Sequence, residues 1–161
     1  RQQLDLIVPD RPDRDAAAAE FEEAKLAGFF AESFSDDVRT AVNNLSARGI
    51  LTIVSSNNFQ HLVDAFLEKH ALPLDLALGF DEKSGSEKGA PHFRQIQERF
   101  QVSPHEILFC GDSLKDGERA LDNGLRFVGI TGTFDAAGFR ARFCESPTVD
   151  SILELAERIV G

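Results

Sequence analysis

The chain has 161 residues, 42% of them hydrophobic and 27% charged, and a net charge of −10 at pH 7, which is enough for one ordinary domain with a real core. That acidic balance argues against non-specific binding to nucleic acid or to an anionic membrane. No apolar run reaches the roughly 18–20 residues of a membrane-spanning helix, no signal peptide is visible, and Cys110 and Cys144 sit in unrelated contexts, so a reducing, cytoplasmic setting is expected.

In chain order, residues 13–30 read as a helix, with Asp13 as cap and Phe21, Ala24, Ala27 and Gly28 at helical spacing. Residues 36–48 form a second helix through Val38, Ala41, Val42 and Leu45, stopped by Gly49. Residues 50–54 are a short β-branched strand that runs into the loop chemistry of Ser55, Ser56, Asn57 and Asn58. A helix at 58–70, a strand at 75–80, and a helix at 89–100 with Pro91 in its first turn follow. Further on come a strand at 106–110, a helix at 116–124, a strand at 126–131 and a closing amphipathic helix at 149–160. The stretch 134–151 reads as an ordinary surface loop. Alternation with short connections predicts an α/β fold, a Rossmann-like parallel sheet covered by helices on both faces. Such sheets bind ligands at the carboxyl ends of their strands, where Ser55, Gly111 and Asp112 fall.

The stretch "LFCGDSLKDG", 108–117, sets Asp112 and Asp116 just past an apolar run, behind Gly111. A glycine there permits a sharp turn or close backbone approach. Two carboxylates four residues apart can share one face if the turn continues into a helix. They should repel each other, so something positive is expected between them, and a metal ion is the obvious candidate. Asp112 could equally act as a helix cap.

The order of these features resembles the haloacid dehalogenase superfamily of phosphohydrolases, in its phosphoglycolate-phosphatase-like branch. "ILTIVSSNN" (50–58) resembles that family's second motif, a strand ending in Ser or Thr. "EKGAPHF" (87–93) resembles the third, a lysine ahead of a helix, and "ILFCGDSLKDGERALDNGLRFVGITG" (107–132) the fourth. The pattern holds from Phe34 through Gly132. The resemblance implies a Mg²⁺-dependent hydrolysis of a small phosphate ester through an aspartyl-phosphate. Ser55 would hydrogen-bond a phosphoryl oxygen, helped by the backbone N–H groups that follow, at Ser56 and Asn57. Lys88 would supply the positive charge and hold the attacking carboxylate ionised. Asp112 would coordinate Mg²⁺, and Asp116 would complete the metal pocket directly or through water. Lys88 is expected beside Asp112, with Lys83 and Lys115 as local rivals and Lys115 pointing away.

The family's first motif, a strand ending in Asp-x-Asp, is missing. Asp10 follows a short apolar run, but Pro12 stands where the second carboxylate should be and Pro9 is awkward in a central strand. "DRD" at 13–15 follows no strand. The chain contains no Met, so the nucleophile is expected upstream of Arg1. Residues 1–34 then read as the remnant of a helical cap, and 35–161 as the core without its first-motif strand. The alternative is a non-catalytic phosphate- or metal-binding or interaction module. A receiver-type phosphoacceptor fits poorly, since its acidic pair leads the chain. Substrate identity and oligomeric state are left open.

Overall fold

Ser35 starts the first fully described helix by a local capping contact. A computed structural model describes residues 27, 28, 31 and 33–161, and in it the Ser35 hydroxyl accepts from the Val38 amide at 3.3 Å. Helix α1, Asp36–Ala47, opens with Asp36 and Asp37 in its first turn, where carboxylates complement the positive end of the helix dipole. Its buried stripe of Ala41 and Leu45 packs with Ala156 of the C-terminal helix. The predicted 13–30 helix and Asp10 lie almost wholly outside the described residues. Ser35–Gly161 is the unit described below.

Strand β1 (Ile53–Phe59) leads through α2 (Gln60–His70) to β2 (Leu76–Phe80). Helix α3 (Ala90–Phe100) and a 3₁₀ turn at Pro104–Glu106 come next, then β3 (Leu108–Gly111), α4 (Leu114–Asp122) and β4 (Arg126–Ile130). Helix α5 (Ala136–Arg142), β5 (Thr148–Val149) and α6 (Ile152–Val160) close the chain. Every strand pair is parallel. β1 pairs with β2, and β3, β4 and β5 form a second block in that order. Among the described residues β1 and β3 do not pair with each other, and no strand lies between them.

What crosses from one block to the other is the core under α3. Phe93 and Ile96 of α3 are buried with Leu78 of β2, Ala120 of α4, Phe127 of β4, and Phe139 and Phe143. The Phe93 ring meets Phe109 of β3 edge-on at 5.1 Å, a favoured aromatic geometry.

Three expectations needed correction. β1 does not end at Val54: Ser55 pairs with Leu78, and pairing resumes at Phe59 opposite Phe80, so four steps of β1 face two of β2 across a bulge. The fourth-motif helix starts at Leu114 because Ser113 is its N-cap, which removes Asp112 from the capping role. The stretch 134–151 is not a plain loop. Asp135 caps α5 by accepting from the Gly138 amide at 2.7 Å, and Phe139 and Phe143, four residues apart on one face, both enter the core.

Candidate active site

β3 delivers Gly111 to the carboxyl edge of its block, and α4 begins three residues later. At that turn the Ser113 hydroxyl does two jobs. It accepts from the Asp116 amide at 3.2 Å and donates to Asp116 Oδ2 at 2.9 Å. The Asp116 carboxylate is thereby folded back over Gly111. A Cβ built on Gly111 would lie 2.6 Å from Asp116 Cβ and 2.7 Å from Oδ2, so only glycine leaves the room. Gly111→Ala must push Asp116 aside, and we expect a loss of about 1–3 kcal/mol, the scale of overpacking. A urea midpoint unchanged from wild type would show that Asp116 has no need of that space.

Asp116 is buried, and its other oxygen is taken by cations. Lys88 Nζ is 2.8 Å from Oδ1, with side-chain exposures of 18% and 3% for the two partners. Arg119 Nη1 approaches the same oxygen at 3.5 Å from one turn along α4. The Lys88 ammonium also stands 5.7 Å from the centre of the Phe109 ring, close enough for a cation–π contribution. Lys88 is therefore fixed by a largely desolvated ion pair. Its partner is Asp116, where Asp112 had been expected.

Asp112 sits on the loop before α4, so the spacing of four does not put both carboxylates on one helical face. It is exposed, and its Oδ2 accepts from Thr133 Oγ1 at 3.3 Å. Lys115 and Lys83 are both exposed.

Ser55, near the end of the regular part of β1, meets a residue that the sequence reading passed over. Its Oγ lies 2.8 Å from His92 Nδ1, and His92 Nε2 lies 3.0 Å from the Gly79 carbonyl oxygen. The His92 ring is fully buried. Burial pushes its pKa below the usual histidine range, partly opposed by the Gly79 carbonyl. The signal in the sequence was a polar residue on an apolar stripe: position 92 is buried with Phe93 and Ile96 on α3. Ser56 Oγ accepts from the Asn58 amide at 3.1 Å, and Asn57 is exposed. The start of α3 thus joins both sides: Lys88, just ahead of it, holds α4, and His92, in its first turn, holds β1.

Mg²⁺ is the group the sequence resemblance implies. Among the described residues no three His, Cys, Asp or Glu side chains converge to cage an ion. Mg²⁺ does not require that, since it is commonly held by one or two carboxylates with waters and substrate phosphate completing its shell. The exposed Asp112 carboxylate fits as such a ligand. Asp116 pairs with Lys88 through Oδ1 and accepts from Ser113 through Oδ2.

A model of the haloacid dehalogenase-like hydrolases matches residues 4–123. No curated protein sequence matches the chain. Solved structures with the same fold include a provisionally assigned phosphoglycolate phosphatase from Lactobacillus delbrueckii subsp. bulgaricus, 21% identical over 78% of this chain and 53% of that one, with a TM-score of 0.69. A haloacid dehalogenase-like family hydrolase from Streptococcus pneumoniae is 14% identical over 93% and 71% of the two chains, with a TM-score of 0.74. A predicted phosphatase from Clostridium acetobutylicum is 19% identical over 99% and 76%, with a TM-score of 0.75. The chain therefore spans little more than half the length of the first of these. At such identities the likeness speaks for the fold.

Proposed function

The chain belongs to the haloacid dehalogenase-like hydrolases, and from that premise we propose that the whole protein hydrolyses small phosphomonoesters with Mg²⁺, through an aspartyl-phosphate. The observation that carries this reading is the Lys88–Asp116 pair at 2.8 Å. A buried carboxylate tied to a capping serine is an expensive way to hold a surface lysine, and a reasonable way to hold a catalytic one at the carboxyl end of a sheet. An acidic protein that accepts a phosphate needs such a fixed cation.

In this reading the attacking aspartate is supplied from upstream of Arg1. Lys88 faces it, keeps it ionised, and offsets charge on the phosphoryl oxygens during transfer. The Ser55 hydroxyl and the backbone amides of Ser56 and Asn57 orient the phosphoryl group. Asp112 would hold Mg²⁺, which when bound neutralises phosphoryl charge and screens it from the carboxylates. Asp116 works through Lys88 and positions it.

Asp112→Asn tests the metal assignment. Calorimetric titration of the whole protein with Mg²⁺ should show a loss of affinity at least equal to the roughly 10–100-fold typical of losing even an outer partner of a metal ligand. Equal affinity for variant and wild type would contradict it.

A further inference from the structure

The contact between Ser55 and His92 imposes a constraint on how the site takes an anion. A carbonyl oxygen can only accept, so the 3.0 Å contact to Gly79 fixes the proton of His92 on Nε2. In the neutral ring Nδ1 is then an acceptor, and the single Ser55 proton, 2.8 Å away, is donated to it. The oxygens of a phosphate dianion also only accept. A neutral His92 and a dianion at Ser55 therefore compete for one proton. Adding a proton to the ring resolves the conflict: Nδ1–H donates to Ser55 Oγ, and the hydroxyl proton turns to the anion.

We infer that His92 is a positioning residue that sets the direction of the Ser55 hydroxyl, and that an oxyanion bound at Ser55 is taken up together with a proton. This rests on the reading of Ser55 as a phosphoryl contact. The incoming proton has a route through the Ser55 hydroxyl, which lies between the ring and the anion. The surroundings of the ring support a neutral resting state. Desolvation lowers its pKa, the Gly79 carbonyl and the Glu87 carboxylate oppose that, and Lys88 adds to it. From β1 and β2 the ring meets only uncharged partners, the Ser55 hydroxyl and the Gly79 carbonyl, and Asp116 of α4 reaches this region through Lys88. A phosphomonoester could bring the extra proton itself. Sulfate stays a dianion near neutral pH and leaves only the ring to carry it.

The test is calorimetric titration of the whole protein with sulfate between pH 6 and 8, in buffers of different ionisation enthalpy. A bound-state pKa raised above the free one makes affinity highest below the free value. It then falls about tenfold per pH unit until the bound value is passed. Wild type should show that slope and a net proton uptake, and His92→Asn should bind with neither. Nitrogen-15 spectra of the wild-type histidine rings should show His92 Nδ1 unprotonated without sulfate and protonated at saturation, a readout that does not depend on any variant folding. A wild type with no proton uptake and no change at Nδ1, in which Ser55→Ala still weakens sulfate binding, would overturn the role of His92 and leave the proposed function standing. Sulfate binding indifferent to Ser55→Ala would overturn both.

Discussion

Lys88→Ala is expected to lower phosphatase turnover of the whole protein by about two to three powers of ten or more, the scale of removing one preorganised electrostatic group from a dry site. The ammonium is held 2.8 Å from Asp116 and stands over the Phe109 ring, so its charge is pinned at the position that the proposed function gives to the phosphoryl group. Lys83 is exposed on the preceding turn, and Lys83→Ala should leave turnover near wild type. The variant also strips a buried carboxylate of its nearest cation. Removing one partner of a fully buried pair costs about 3–5 kcal/mol. Here Lys88 is 18% exposed and Arg119 still contacts Asp116 at 3.5 Å, so the loss should fall at or below the lower end of that range. Denaturant unfolding of the same variant separates the two effects. A folded Lys88→Ala protein that turns over as fast as Lys83→Ala would remove the catalytic role.

Phe139→Ala should be among the most damaging truncations of the described core. The side chain is fully buried, its ring packs 6.0 Å from that of Phe127 and 6.1 Å from that of Phe134, and Gly129 of β4 is bare to admit it: a Cβ there would lie 2.8 Å from the ring. Deleting a buried phenylalanine costs about 3–5 kcal/mol, because the cavity collapses only in part. With about 2–4 °C per kcal/mol for a chain of this size, the melting temperature should drop by roughly 6–20 °C. A drop of less than about 2 °C would mean that α5 is the dispensable loop suggested by its sequence.

That misreading shows where sequence patterns ran out. The helices at 36–48, 58–70 and 89–100 were legible because each carries a long apolar stripe, and their observed bounds differ by only one or two residues. α5 has seven residues, too few for a period to emerge, and Phe139 and the Phe143 that caps its end look like isolated apolar residues until Gly129 and Gly117 are seen to make room for them. β5 is two residues long and exists only by pairing with β4. In the site, the order of Ser55, Lys88 and Asp112–Asp116 told which segments to consider together. It could not tell which carboxylate Lys88 would choose. That was decided by Ser113, whose capping contact turns Asp116 inward and leaves Asp112 in the loop. His92 stayed hidden because a histidine on a core stripe looks like any other buried residue until its two ring nitrogens are matched with Ser55 and Gly79.

The most direct test of the account is phosphate release from a panel of small phosphomonoesters by the whole protein, with Mg²⁺ and with Mg²⁺ removed by a chelator. The account predicts release that requires Mg²⁺ and collapses in Lys88→Ala but not in Lys83→Ala. Release from no ester on the panel, or release indifferent to both the chelator and Lys88→Ala, would contradict it.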